Sequence, residues 1–223
     1  MPNQESDILS GPSPISATAR IINFNETDVD EYDGYFAMII DNICTQDECA
    51  NLLKLVSPAD GAEWPPAAVT AYDGSQVVDT KSRFCGRIFY TSKVLADRLL
   101  ERVLPFIPPE IVTLENAPDI TGQFPIIRNE SWRICRLNNK LRFLNFLTLH
   151  LYLNGGADDD NVVEGGATRF GVDFEDPQAG KLDIDPKGGS LVLFQQRDMY
   201  HEGATVMKGT KYTMRSDVMY EKI

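Results

Sequence analysis

The sequence predicts an α+β domain whose β part closes into a barrel or sandwich, with N-terminal helices buttressing one sheet. Three observations carry this. Helical periodicity is confined to the first half, where Cys49, Leu52, Leu53 and Val56 share one face and Leu95, Leu99 and Val103 share another. From about Phe124 the texture changes to short β-prone runs separated by Gly, Pro, Asn and Asp. At 223 residues and 43% apolar, the chain can bury one sizeable core.

The elements follow in order. Residues 1–20 are rich in Ser, Pro, Asn and Ala around Gly11-Pro12-Ser13-Pro14, and are expected to form a poorly ordered leader. A single domain is expected over 21–223, with its β core at about 124–223. Tyr35 to Asp41 is an apolar run that reads as a strand. Thr45 and Glu48 have capping-box spacing and start a helix that Ser57-Pro58 ends. A second helix is expected from about Ser92 to Leu104, stopped by Pro105. Further strands are expected at Trp132–Cys135, Leu141–Asn154, Thr168–Val172, Lys181–Asp185, Ser190–Gln196 and Lys211–Tyr220. No internal repeat is visible.

Charge and cysteines narrow the function classes. A net charge of −12 and a pI near 4.6 argue against nucleic acid or an anionic membrane as partner, since both select basic surfaces. No basic segment leads into an apolar stretch at the N-terminus, and no apolar run approaches the roughly 20 residues of a membrane span. A soluble, cytoplasmic protein is expected. Cys44, Cys49, Cys85 and Cys135 form no Cys-x-x-Cys pair and read as free thiols of a reduced compartment. Asp158-Asp159-Asp160 lacks EF-hand spacing and reads as a solvated loop.

The chemistry-bearing residues lie late in the chain. Only two histidines occur, His150 and His201. His201 stands in Met199-Tyr200-His201-Glu202-Gly203, and Lys211 follows ten positions later in Gly209-Thr210-Lys211-Tyr212. Strand alternation puts Lys211, Thr213 and Arg215 on one face. It also puts Thr148, His150 and Tyr152 on one face of Leu147–Asn154, opposite a row of leucines.

The ordered motifs are Tyr152-Leu153-Asn154, Glu164-Gly165-Gly166-Ala167-Thr168, Pro186-Lys187-Gly188-Gly189-Ser190, His201-Glu202-Gly203 and Gly209-Thr210-Lys211-Tyr212. In this order, over roughly residues 130–220, the chain resembles the prolyl 4-hydroxylase-like Fe(II)/2-oxoglutarate dioxygenases. The likeness is looser over 35–110, at the Asp47-Glu48-Cys49 helix and at Cys85-Gly86-Arg87-Ile88. It implies a double-stranded β-helix of jelly-roll or cupin-like shape. It also implies Fe(II), 2-oxoglutarate as co-substrate, ascorbate as an accessory reductant, and oxidation of a small-molecule or peptidyl substrate. His201 would then be the distal iron ligand. Lys211 would hold the far carboxylate of 2-oxoglutarate, with Arg215 ranked behind it as rival anchor. Tyr152 would hydrogen-bond the same carboxylate, and His150 would be a pocket-wall residue.

One part of the pattern is missing. The family carries a His-x-Asp that places two iron ligands on one strand face. Here Phe146 runs directly into Leu147, and no His-x-Asp occurs anywhere. A splice form or gene structure lacking an exon, an omitted loop, and natural loss of the metal site all account for it. With one expected ligand of three, the chain is expected to hold iron poorly. The alternative to an oxygenase is a non-catalytic binding or interaction module on the same barrel.

Overall fold

The computed structural model describes all residues except 1–4, 6, 60–61, 71–72, 81–83, 115–130, 139–143, 157–161, 172–175 and 177–178. Strands β1 (Thr18–Ile21) and β2 (Ala37–Asp41) lead into helix α1 (Gln46–Val56). Short strands β3 (Val69–Thr70) and β4 (Gln76–Val77) precede α2 (Lys93–Val103), the single turn α3 (Pro109–Val112) and β5 (Thr113–Leu114). The remainder is β: β6 (Trp132–Asn138), β7 (Leu144–Tyr152), β8 (Glu164–Gly165), β9 (Thr168–Phe170), β10 (Leu182–Ile184), β11 (Leu191–Gln195), β12 (His201–Gly203), β13 (Val206–Lys208) and β14 (Thr213–Lys222).

Both main helices start where their caps dictate. The Thr45 hydroxyl accepts from the Glu48 amide at 3.2 Å, and the Glu48 carboxylate accepts from the Thr45 amide at 2.9 Å. Ser92 caps α2 through the Leu95 amide, and at Pro105 the α-helix gives way to a 3-10 turn over Leu104–Phe106.

A curled antiparallel sheet of seven strands, in the order β1-β2-β11-β7-β14-β6-β5, forms the body. Its strand alternation sorts two cores. On the helix side, Leu147, Leu149 and Leu151 of β7 join Met38, Ile40, Leu191, Leu193 and Val218 beneath Cys49, Leu52, Leu99 and Val103. The opposite face carries Ala37, Ile39, Tyr152, Val192 and Phe194, which meet Phe170 of β9 and the edge of β10. This second layer is the three-stranded sheet β10-β9-β12. The result is a half-barrel facing a smaller sheet, compatible with a sandwich or jelly roll. Burial of each large apolar side chain contributes roughly 1.5–3 kcal/mol, so these two leucine- and phenylalanine-rich layers dominate over the surface ion pairs.

Three details depart from the expectations. The stretch expected as a leader is anchored at two places. Ile8 and Leu9 are buried in the helix-side core, Arg98 donates to the Ile8 carbonyl at 2.8 Å, and Thr18–Ile21 pairs with β2. Its prolines and serines disfavour helix, yet Ile8 and Leu9 find a place to bury, while Ile15 stays fully exposed. The expected run Leu141–Asn154 is described as one strand from Leu144 to Tyr152, with 141–143 outside the described residues. That strand is bulged. Val218 pairs with Leu147 but Met219 with Asn145, so Phe146 is the extra residue. Phe146 and Leu147 therefore bury on the same side, next to each other in sequence. The Asp158–Asp160 run and the end of the Thr168–Val172 run also lie outside the described residues.

The short strands β3, β8 and β13 carry too few residues to show a period, and the sequence does not reveal them. Among the described residues no helix is long and apolar enough to cross a membrane.

Candidate site between the two sheets

The face of β7 and β14 turned toward the smaller sheet carries the polar residues. Register pairs Tyr152 with Thr213, His150 with Arg215 and Thr148 with Asp217. The period of two then points all six side chains to the same side. Across from them, β12 places His201 opposite Phe170 of β9. Lys211, just before β14, reaches the same space.

Lys211 is held there by glycine. Its Nζ donates to the Gly166 carbonyl at 2.5 Å and sits 5.4 Å from the Tyr152 ring centre. Gly166 has φ +72, and a Cβ on it would lie 2.9 Å from Val206 Cγ2 and 3.2 Å from Lys211 Cδ. The Gly-Gly pair thus lets the β8–β9 backbone close onto the lysine stem. Asn154 positions the chain from the other side. Its Oδ1 accepts from the Tyr212 amide at 2.7 Å and its Nδ2 donates to the Thr210 carbonyl at 2.7 Å. Sequence reasoning noted Asn154 only as a motif member. Its role as the clamp of the Lys211 segment depends on a contact 58 residues apart, which no local signal reports.

Burial pushes the Lys211 ammonium down to about 8. Among the described residues no carboxylate lies within ion-pair distance of it. Arg215 differs. Its side chain is 52% exposed, and its Nη2 lies 3.6 Å from Asp217 Oδ1 and 3.5 Å from the Thr148 hydroxyl.

Both histidines face this space. The His201 ring meets Phe194 edge-on at 4.6 Å between centres, and its Nδ1 lies 3.1 Å from the Met199 carbonyl. Burial lowers its basicity; the Met199 contact opposes this and the Arg215 charge adds to it. A neutral ring donating from Nδ1 to Met199 leaves Nε2 with its lone pair. His150 is pushed down to about 3, first by burial, then by the charges of Lys211, Arg215 and His201. It stays neutral at physiological pH and lies 5.3 Å from the Tyr152 ring. This placement suits a wall residue.

Tyr152 is buried, and its hydroxyl donates to Thr168 Oγ1 at 2.7 Å, with the Ile184 carbonyl at 3.3 Å. Burial makes it a weaker acid, pushing its pKa up to about 12. The hydroxyl is therefore committed inside the protein, and what Tyr152 offers toward Lys211 is its ring. A cavity of about 360 Å³ opens beyond that hydroxyl, lined by Tyr152, Ile39, Ile184, Ser190, Asp41 and Arg20. It touches none of His150, His201, Lys211 or Arg215. Its charged groups are largely engaged with one another, as Asp41 is with Arg20, Lys187 and Ser190. The inter-sheet face is the better candidate.

The structure thus brings His201, Lys211, Tyr152, Arg215 and His150 to one face. The donor set fits an anion better than a dication. A ferrous facial site needs two histidines and a carboxylate converging on one point. No group of three His, Cys, Asp or Glu able to hold a metal occurs among the described residues. His150 moreover feels two neighbouring cations, which would repel a divalent ion and attract a carboxylate. These residues therefore do not fit iron as they stand.

No family model and no curated protein matches the chain. Among solved structures it is similar to a Pseudomonas putida prolyl-4-hydroxylase, at 20% identity and a TM-score of 0.26. The match covers 40% of this chain and 45% of that enzyme, so it spans less than half of either.

Proposed function

We propose that the chain is a double-stranded β-helix of the prolyl 4-hydroxylase-like oxygenase class that binds the carboxylate of 2-oxoglutarate or a related dicarboxylate without holding iron. The observation that carries this is Lys211. A partly buried ammonium with no carboxylate within reach among the described residues, roofed by the Tyr152 ring, is costly unless an anion completes it. His201 is the residue on the same face that the class would use as a metal ligand, and Arg215 is the weaker anchor because Asp217 already engages it. In this reading the chain is a binding module. Partners are a small molecule or peptidyl segment, with nucleic acid and membrane disfavoured by a charge of −12.

The bulge at Phe146 favours a second reading. A form of the protein carrying a His-x-Asp segment at this point would complete the iron site and oxidise a substrate at the expense of 2-oxoglutarate and oxygen. One set of measurements separates the readings. Calorimetric titration of the chain with 2-oxoglutarate and with succinate should show binding that Lys211→Ala abolishes and Arg215→Ala weakens less. Elemental analysis and a succinate-release assay should show far less than one iron per chain and no turnover. No binding of either acid would overturn the proposal, and near-stoichiometric iron with steady succinate release would establish the catalytic reading instead.

A further inference from the structure

Cys44 and Cys49 flank the cap of α1 and play no part in the inter-sheet site. With Thr45 as N-cap, Cys44 is the residue before the cap and Cys49 the fourth residue of the helix. These are the two positions that a hydrophobic staple brings together, so helix initiation itself sets the two side chains against each other. Both are buried, at 3% and 0% exposure. Both belong to the helix-side core cluster, and each side chain is close enough to shift the titration of the other. Cys49 Sγ has one long contact, 3.9 Å to the Tyr152 carbonyl, and lies beside the Gly189 amide.

We infer that Cys44 and Cys49 form a reversible intramolecular disulfide across the first turn of α1. The arrangement distinguishes the two sulfurs. The neighbouring Cys44 side chain lowers the Cys49 thiol below the ordinary range against the effect of burial, while Cys44 is raised. Cys49 is therefore the attacking sulfur and Cys44 the resolving one. The three residues that follow Cys44, Thr45, Gln46 and Asp47, are exposed, so opening of the first helical turn would admit a small oxidant.

With a low-molecular-weight disulfide such as glutathione disulfide, the Cys49 thiolate attacks one sulfur and releases one glutathione thiolate, which takes up a proton. Cys44 then loses its proton and attacks Cys49 Sγ, releasing the second glutathione. The two cysteines lose two electrons and two hydrogens, and glutathione disulfide becomes two thiols.

The experiment uses the full chain carrying Cys85→Ser, which removes the exposed thiol and so prevents cross-linking between copies. The folded protein is equilibrated with glutathione redox buffers, quenched with acid, denatured and alkylated. Trypsin releases Ile21 to Lys54 as one peptide, because no lysine or arginine lies between Arg20 and Lys54. Under oxidising buffer this peptide should escape alkylation at both cysteines and weigh two hydrogens less than the reduced form, and dithiothreitol should reverse the change. Cys44→Ala should instead leave glutathione attached to Cys49. Full alkylation of both cysteines at the highest oxidant ratio would overturn the inference. So would persistent glutathionylation of the Cys85→Ser protein, or a Cys44 or Cys49 bridge to Cys135.

Discussion

Replacing Lys211 by methionine should stabilise the protein at neutral pH while removing its response to dicarboxylates. Burial lowers the lysine from 10.5 to about 8. At pH 7 it is charged in both the folded and the unfolded chain, so the folded state bears the whole cost of the buried charge. A difference of about 2.5 pH units corresponds to a ceiling of roughly 3.4 kcal/mol. Methionine keeps most of the stem's apolar contact and loses the bond to the Gly166 carbonyl, which offsets about 1 kcal/mol. The net expected gain is about 1–2 kcal/mol. The sign of the pH dependence follows from the depressed value. Between pH 8 and 10.5 the unfolded chain binds more protons than the folded one, so wild-type stability relative to the variant rises with pH. The advantage of methionine should shrink over this window and vanish above it. Urea denaturation of both proteins from pH 7 to 10.5 measures the difference and cancels the other titrations. Saturating succinate should raise the wild-type midpoint at pH 7 and leave the variant unchanged. A Lys211→Met protein destabilised at pH 7, or a gap that stays constant to pH 10.5, would show that the lysine is a structural hydrogen-bond donor and would remove the main support for an anion site.

Dicarboxylate affinity should fall as pH rises through about 8, by about tenfold per pH unit beyond it, because only the ammonium form binds; titration at pH 7 and pH 9 reads this directly. Arg102→Ala should cost about 3–5 kcal/mol in urea, since Arg102 is buried and spans the Glu48 carboxylate, at 2.6 and 2.9 Å, and the Gly11 and Ile43 carbonyls. In the intact protein Glu48 lies below the ordinary carboxylate range, with the Arg102 hydrogen bonds overcoming burial. Its contribution is present above the unfolded value and lost as pH falls through the folded one, so acid should erode the difference between wild type and Arg102→Ala. Gly166→Ala should destabilise by about 1–3 kcal/mol and weaken dicarboxylate binding together, because φ +72 and a Cβ 2.9 Å from Val206 strain the loop that holds Lys211; a variant of normal stability and affinity would mean the loop shifts freely.

What was legible in the sequence was whatever a period or a cap could encode. The capping box at Thr45, the Ser92–Pro105 limits of α2 and the two-faced character of Leu147–Tyr152 are local signals, and each corresponds to an observed element. Alternation alone sent Thr148, His150 and Tyr152 to one face, and Lys211 and Arg215 to a shared one. Contacts distant in sequence were not legible. The docking of Ile8 and Leu9, the Arg102 link between α2 and the α1 cap, and the Asn154 clamp on Thr210 and Tyr212 all join segments whose proximity only the folded sheet creates. Tyr152 shows the limit most clearly. Its position on the face could be read from parity, but its hydroxyl turns to Thr168 and Ile184 and its ring turns to Lys211, which parity does not specify.

The bulge at Phe146 links the strand register to the polar face. A strand slipped by one residue would send Leu147, Leu149 and Leu151 to the polar face and bury Thr148 and His150 among the helices. The chain instead absorbs one extra residue at Phe146, leaves it in the apolar core, and keeps the register of everything beyond it. That preserved register is what aligns His150 with Arg215 and Tyr152 with Thr213. Deleting Phe146 should therefore test the face and the fold separately. If the bulge only absorbs an extra residue, the deletion leaves a regular β7–β14 pair, and dicarboxylate binding should survive with the loss of one buried phenylalanine, about 3–5 kcal/mol. If the bulge also sets the strand twist that brings Lys211 over Tyr152, binding should disappear while the helix-side core remains folded. Titration with succinate beside far-ultraviolet dichroism distinguishes the two, and a protein that loses both together would show that the face and the core are one cooperative unit.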